Sequence, residues 1–162
     1  MKSIKNILII CTGNTARSPV AEYIAKYYAQ KYGINLKINS CGLFNAFNYM
    51  QPQSRAYLDK MGINHSDFRP QVVNLKLLKE ADLIITMERY HKEQILYNYE
   101  LDDSIKSEIF TLKEFNGDKE DFDIIDPYNG SSSFYKKILE IIKNNIEKMI
   151  QKIININNSH AD

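Results

Sequence analysis

The chain has 162 residues and a formal net charge of +1, with 21 Lys and Arg residues scattered among 20 Asp and Glu residues. This length suits one domain with a substantial core, while the balanced charge and the lack of any run of membrane-spanning length predict neither a nucleic-acid nor a membrane partner. The two cysteines, Cys11 and Cys41, exclude a disulfide scaffold or a cysteine-based zinc site and predict a cytoplasmic protein.

Strands and helices alternate along the chain. Residues 7–10 are four consecutive aliphatic residues, which is typical of a buried parallel strand, and apolar residues at helical spacing follow over 19–32. This alternation favours a doubly wound α/β fold, a parallel sheet with helices on both faces, in one domain over residues 1–154. We predict strands at residues 1–10, 36–40, 82–87 and 108–112, helices at 19–32, 53–61, 74–81, 88–97 and 132–154, and a frayed, flexible tail at 155–162.

Residues 11–17 connect the first strand to the first helix. Ser18 is a good N-cap residue, and Pro19 suits the first helical position, where a missing N–H costs nothing. A loop in this place turns consecutive backbone N–H groups inward at a helix N-terminus, which favours anion binding. In parallel sheets, ligands bind at the carboxyl ends of the strands, where this loop falls.

Cys11 and Arg17 are the candidate reactive side chains of this loop. The helix dipole and Arg17 favour thiolate over thiol at Cys11, which is the condition for a cysteine nucleophile. The planar guanidinium of Arg17 matches two oxygens of a phosphate group. A cysteine, five residues and an arginine therefore indicate attack on phosphorus with the other oxygens held in place.

Residues 11–19, CTGNTARSP, resemble the signature of the low-molecular-weight protein tyrosine phosphatases. The resemblance implies four parallel strands in the order 2-1-3-4 and a phosphocysteine intermediate. It also implies that Asn14 braces the loop and that Ser18 hydrogen-bonds the sulfur. The other phosphate-binding positions, which contribute mainly backbone N–H donors, are Thr12, Gly13, Thr15 and Ala16.

Asp126 is the predicted general acid. A leaving oxygen needs a proton that the thiol cannot supply, and Pro127 presents Asp126 from a loop ahead of the last helix. The run Asp126-Pro127-Tyr128 also resembles the second signature of the family. Asp121 and Asp123 are nearby alternatives that we interpret as solvated loop charges.

Aromatic side chains are candidates for the walls of a pocket that holds a flat leaving group. Phe47 and Tyr128 are the two that we assign to the site, and Phe44 and Tyr49 are further candidates. Ordinary packing is an equal alternative for Phe44, Phe47 and Tyr49.

The predicted activity is hydrolysis of protein phosphotyrosine, with a phosphorylated protein as substrate and phosphate or another oxyanion in the loop. We expect no cofactor and no metal, because His65, His91 and His160 lack ligand spacing. Thr15 leaves protein phosphoarginine as an alternative substrate, since relatives acting on phosphoarginine have threonine there and tyrosine phosphatases more often have a bulkier aliphatic residue.

Other functional classes of protein fit the sequence less well. Thiol-dependent arsenate reductases need further cysteines to relay electrons, and phosphocysteine proteins of sugar transport do not resemble this loop in its arginine. A phosphate-binding module would need neither Cys11 nor Asp126. Ala16 replaces the second loop cysteine of many relatives, so a Cys11–Cys41 disulfide is a further hypothesis.

Overall fold

The computed structural model describes residues 1–161 as alternating strands and helices. The predicted strands and long helices are all present, with boundaries that shift by a few residues. Two short helices, one before and one after the last strand, were not predicted. The elements are β1 (Asn6–Cys11), α1 (Arg17–Lys31), β2 (Lys37–Gly42), α2 (Pro52–Lys60), α3 (Leu75–Glu80), β3 (Leu83–Thr86), α4 (Arg89–Asn98), α5 (Asp103–Lys106), β4 (Ile109–Thr111), α6 (Leu112–Phe115) and α7 (Ser132–Asn158).

The four strands form one parallel sheet in the order β2-β1-β3-β4, which confirms the predicted fold. Ile10 near the end of β1 pairs with Cys41 on one side and with Thr86 on the other. The loops that follow β1, β2 and β3 therefore meet at one edge of the sheet, and residues distant in sequence can form one site there.

Alternating residues of β1 face two separate apolar layers. Ile7, Ile9 and Cys11 belong to the larger layer, which α1, α2, α6 and α7 cover. Leu8 and Ile10 belong to the smaller layer, together with residues of α3, α4 and α5. Both faces of the sheet are thus buried, which explains why β1 is aliphatic at every position from 7 to 10.

The first helix begins earlier than predicted, and the N-cap assignment of Ser18 was wrong. The capping position is Ala16, and its side chain makes no capping hydrogen bond. Ser18 lies inside the first turn and is completely buried. Its hydroxyl is consequently free to interact with the loop instead of with the helix end.

The predicted tail was wrong for residues 155–158, which continue α7. Asn157 anchors this last turn: its side chain accepts a hydrogen bond from Ile4 N at 2.8 Å and donates one to Ile4 O at 2.8 Å. Ile154 and Ile156 also pack against the larger apolar layer. Position 162 lies outside the described residues.

Across residues 1–161, none of the helices combines the length and the apolar character needed to cross a bilayer. The same residues contain no group of three or more His, Cys, Asp or Glu side chains placed to hold a metal ion.

Candidate active site

The loop between β1 and α1 curls around the sulfur of Cys11. Asn14 has a φ of 55°, in the left-handed region that Asn tolerates better than most residues. Its backbone N–H donates to Cys11 Sγ at 3.3 Å. Although Cys11 is only 2% exposed, it lines the cavity described below. The loop therefore directs a hydrogen-bond donor at the sulfur and places Cys11 in the lining of a cavity.

The orientation of the Asn14 amide determines the direction of the Ser18 hydroxyl. Asn14 Oδ1 accepts a hydrogen bond from Gln71 N at 3.0 Å, which fixes Nδ2 as the end that donates to Ser18 Oγ at 2.9 Å. Since Ser18 accepts there, its own proton is available to Cys11 Sγ, which at 2.9 Å is nearer than the other acceptor, Cys41 O at 3.5 Å. The sulfur thus has a second donor, which stabilises a negative charge on it.

A buried carboxylate ends this hydrogen-bond network. Asn14 Nδ2 also donates to Ser40 Oγ at 2.8 Å, and the Ser40 hydroxyl donates to Glu22 Oε1 at 2.7 Å. The other carboxylate oxygen of Glu22 pairs with Lys26 Nζ at 2.7 Å. Ser40 and Glu22 were not among the predicted site residues, because neither lies in a recognisable motif.

Arg17 is 1% exposed, and most of its donors are held by the protein. Nη1 donates to Glu88 Oε2 at 2.6 Å and to the carbonyl oxygen of Ile124 at 2.7 Å, and Nη2 donates to Thr12 Oγ1 at 3.2 Å. Within residues 1–161, Nε–H has no hydrogen-bond acceptor, and the second N–H of Nη2 has none closer than Asp126 Oδ2 at 3.7 Å. These two adjacent groups can therefore bind two oxygens of a phosphate together.

His91 is a site residue that the sequence analysis missed. It is completely buried, and its Nε2 lies 2.9 Å from Thr12 Oγ1, while its Nδ1 accepts a hydrogen bond from Glu88 N at 3.0 Å. Burial and the charge of Arg17 lower the pKa of His91 to about 3, so the imidazole is neutral at pH 7. Glu88 and His91 follow β3, and the rule that sites form at the carboxyl ends of neighbouring strands could have identified them.

Asp126 lines the same cavity from a tight turn. Its Oδ1 accepts a hydrogen bond from Tyr128 N at 3.0 Å, and Gly130 N donates to Pro127 O at 3.0 Å. The Asp126 side chain is 46% exposed, and its Oδ2 is the atom that lies 3.7 Å from Arg17 Nη2. A carboxyl group is therefore held beside the guanidinium while remaining accessible to solvent.

A cavity of about 210 Å³ opens in front of the loop. Aromatic rings form part of its walls, with the ring centroids of Phe47 and Tyr128 5.8 Å apart. Tyr49 packs on Phe47 at 5.6 Å but does not line the cavity. Every residue assigned to the site lines the cavity, except for the buried Asn14 and Ser18. The lining comprises Cys11, Thr12, Gly13, Thr15, Ala16, Arg17, Phe44, Ala46, Phe47, Asp126 and Tyr128.

Asp121 and Asp123, the alternatives to Asp126 as the general acid, lie outside the cavity lining. Asp121 pairs with Lys113, and Asp123 accepts a hydrogen bond from Arg89 N at 2.8 Å. Neither carboxylate lines the cavity.

Cys41 does not fit the disulfide hypothesis. It pairs with Ile10 and lies in the smaller apolar layer, whereas Cys11 is the next residue of β1 and belongs to the larger one. Both cysteines are free. Burial raises the pKa of the Cys41 thiol far above its ordinary value, which makes this sulfur a poor partner for exchange.

Comparison with known proteins places this site in a family. Residues 6–158 match the family model of the low molecular weight phosphotyrosine protein phosphatases. The chain belongs to this family. The match includes the loop after β1, the turn at Asp126 and all of α7, so it covers the whole site.

Individual phosphatases of the family include enzymes named for different substrates. The chain is 31% identical over 153 residues to the protein-arginine-phosphatase of Bacillus subtilis, covering 91% of this chain and 97% of the relative. It is 36% identical over 137 residues to the low molecular weight protein-tyrosine-phosphatase PtpB of Staphylococcus haemolyticus, covering 83% of this chain and 89% of the relative.

A solved structure of the family shares the fold. A variant of the YwlE arginine phosphatase with a phosphorylated active-site serine superposes with a TM-score of 0.84 at 27% identity, covering 94% of this chain and 98% of the other.

Gly42 provides a test of how closely this phosphatase loop must pack. A Cβ at position 42 would lie 2.8 Å from Asn14 N and Gly13 C and 2.9 Å from Thr12 O, so the loop would have to move. We expect Gly42→Ala to lower kcat/KM about 10- to 100-fold, because small displacements of a reacting group have large effects. Steady-state kinetics with an aryl phosphate measures this.

Gly33→Ala is the matched control. Gly33 has a φ of 68°, and a Cβ added there would have no neighbour within 4 Å among residues 1–161, so alanine strains the backbone without touching the loop. It should lower the thermal midpoint and leave kcat/KM unchanged. A folded Gly42→Ala protein with wild-type kcat/KM would contradict the expectation.

Proposed function

We propose that this protein hydrolyses phosphotyrosine in proteins through a phosphocysteine intermediate. The family assignment makes the chain a cysteine-dependent protein phosphatase. The finer points of the proposal are the substrate side chain, the roles of the individual residues, an oxyanion bound by the loop and a cytoplasmic location.

In the first step, the Cys11 thiolate attacks phosphorus and forms a sulfur–phosphorus bond as the bond from phosphorus to the tyrosine oxygen breaks. Asp126 gives its proton to the leaving oxygen, so tyrosine departs neutral. Arg17 and the inward N–H groups of the loop hold the other phosphoryl oxygens and stabilise their charge. Cys11 and Asp126 line the same cavity, which supports this division of roles.

In the second step, the Asp126 carboxylate accepts a proton from water, whose oxygen attacks phosphorus. The sulfur–phosphorus bond breaks, inorganic phosphate forms and the thiolate is restored. The hydrogen bonds to Cys11 Sγ from Asn14 N and Ser18 Oγ favour this departure, because they stabilise the sulfur as an anion. The phosphorylated active-site serine of the related YwlE variant supports a covalent intermediate at this position.

The aromatic side chains that line the cavity support phosphotyrosine as the substrate. Phe44, Phe47 and Tyr128 line the same cavity as Cys11 and Arg17, which suits a flat aryl phosphate. The test compares turnover of one peptide sequence phosphorylated on tyrosine, on serine and on arginine. The proposal requires the largest kcat/KM with phosphotyrosine.

Protein phosphoarginine is the second candidate substrate, and Thr15 is the observation that favours it. Thr15 lines the cavity, where its small side chain leaves room and a hydroxyl for a guanidino group. Similarity to the Bacillus subtilis protein-arginine-phosphatase adds weight to this candidate.

A Thr15→Ile variant separates the two candidates. The larger side chain should fill the space beside the loop and lower kcat/KM for a phosphoarginine peptide about tenfold or more, while turnover of phosphotyrosine is kept. Thr15→Ser is the matched control, since it retains the hydroxyl and adds no volume. Faster turnover of phosphoarginine than of phosphotyrosine by the wild-type enzyme would overturn the choice of phosphotyrosine.

A further inference from the structure

Thr12 occupies an unusual position in the loop, because its hydroxyl already accepts two hydrogen bonds. Arg17 Nη2 lies 3.2 Å from Thr12 Oγ1, and a guanidinium can only donate. His91 Nε2 lies 2.9 Å from the same oxygen. The direction of the second hydrogen bond depends on which ring nitrogen carries the proton.

The backbone of Glu88 fixes the tautomer of His91. Glu88 N is 3.0 Å from His91 Nδ1, and a backbone N–H can only donate, so Nδ1 carries a lone pair. The imidazole is neutral, with its pKa lowered to about 3 mainly by burial. The single ring proton is therefore on Nε2. Thr12 Oγ1, at 2.9 Å, is nearer to Nε2 than Glu88 Oε2, at 3.5 Å, so His91 donates to Thr12.

Both lone pairs of Thr12 Oγ1 are thus occupied, and its own proton must point in the remaining direction. Within residues 1–161, this proton has no protein acceptor at hydrogen-bond distance. Thr12 lines the cavity beside Cys11 and Arg17, where the phosphoryl group binds in the proposed reaction. The available acceptor for the Thr12 proton is therefore an oxygen of the bound group.

We propose that Thr12 is a side-chain donor to the phosphoryl oxygens and that His91 is a positioning residue which orients its hydroxyl. The inference rests on the proposed phosphatase reaction and adds a donor to the backbone N–H groups and Arg17. His91 and Arg17 both polarise the Thr12 hydroxyl, which strengthens the hydrogen bond that it donates. Negative charge on the phosphoryl oxygens is the natural partner for such a donor.

The test begins with Thr12→Val, which keeps the shape of the side chain and removes the hydroxyl. A hydrogen bond to a charged group has an effect of about 10- to 100-fold, so we expect kcat/KM for p-nitrophenyl phosphate to fall by that factor. The inhibition constants of inorganic phosphate and orthovanadate should weaken in parallel. Thr12→Ser restores the hydroxyl and should return all three quantities to near wild type.

His91→Asn separates orientation of Thr12 from support of α4. The shorter amide keeps an acceptor near the position of Nδ1 for Glu88 N and loses the donor at Nε2. We expect this variant to lower kcat/KM in the wild-type background and to have no further effect in the Thr12→Val background. An equal loss in both backgrounds would overturn the role of His91.

Wild-type kcat/KM and inhibition constants in Thr12→Val would overturn the proposal for Thr12. Thr12→Ala provides a second variant without the hydroxyl, and thermal unfolding of each variant shows whether the fold is kept. Cys11→Ser is assayed in the same series. Turnover by Cys11→Ser would refute the phosphatase mechanism itself. If Cys11→Ser is inactive and Thr12→Val keeps wild-type kcat/KM and inhibition constants, only this inference is refuted.

Discussion

Cys11→Ser is expected to abolish turnover, with a fall in kcat of at least about 10⁴-fold. A serine hydroxyl is a weak nucleophile at neutral pH unless a neighbouring base removes its proton. The neighbours of Cys11 Sγ cannot do this, because Ser18 Oγ and Asn14 N are both arranged to donate. Kinetics with a phosphotyrosine peptide measures the loss, and titration of the variant with inorganic phosphate shows that the loop still binds an oxyanion.

Cys41→Ala is the matched cysteine control. Cys41 is completely buried in the smaller apolar layer, on the face of the sheet away from Cys11. Removing its sulfur should lower the thermal midpoint through a small cavity and leave kcat unchanged. Turnover by Cys11→Ser, or loss of turnover in a folded Cys41→Ala protein, would contradict the assignment of Cys11 as the nucleophile.

The fold and the centre of the site could be predicted because their signals are local. The aliphatic run of residues 7–10, the seven residues that follow and Pro19 specify a strand, a loop and a helix within one short segment. The regular alternation of later elements then determines a parallel sheet. The cavity therefore contains Cys11 and Arg17 where the sequence predicts them.

The residues after β3 that contact Arg17 and Thr12 could not be predicted from local signals. Glu88 and His91 reach the loop only because β3 pairs with β1 in a register that sets Ile10 opposite Thr86. In sequence they resemble an ordinary helix start, and His91 shows no spacing typical of a catalytic or metal site. Their role follows from the packing of neighbouring strands, so the order of the strands in the sheet indicates it and no local motif does.

Ser18 shows how two valid local rules can compete. Serine before proline is typical of an N-cap, and the same serine matches a family position that contacts the sulfur. The helix begins at Arg17, because the loop uses the first turn of α1 to present this side chain and the Ser18 hydroxyl to Cys11. Tertiary hydrogen bonding to Asn14 and Cys11 therefore replaced a capping hydrogen bond.

Asp126→Ala is expected to lower kcat for phosphotyrosine about 10²- to 10⁴-fold, which is the usual contribution of general acid catalysis. Substrate binding should be largely kept, because within residues 1–161 the Asp126 carboxyl accepts a hydrogen bond only from Tyr128 N, and its Oδ2 lies 3.7 Å from Arg17 Nη2, beyond hydrogen-bond distance. The loss should be much smaller with p-nitrophenyl phosphate than with phenyl phosphate, since the more acidic phenol leaves without a proton. Kinetics with the two aryl esters measures this difference.

Asp121→Asn is the matched control from the same acidic segment. Its carboxylate is exposed and pairs with Lys113 away from the cavity, so the variant should keep wild-type kcat with both esters. The dependence on the leaving group is the decisive observation, because a merely structural effect of Asp126→Ala would slow the two esters equally. An equal loss would therefore remove Asp126 from the role of general acid, even if the loss were large.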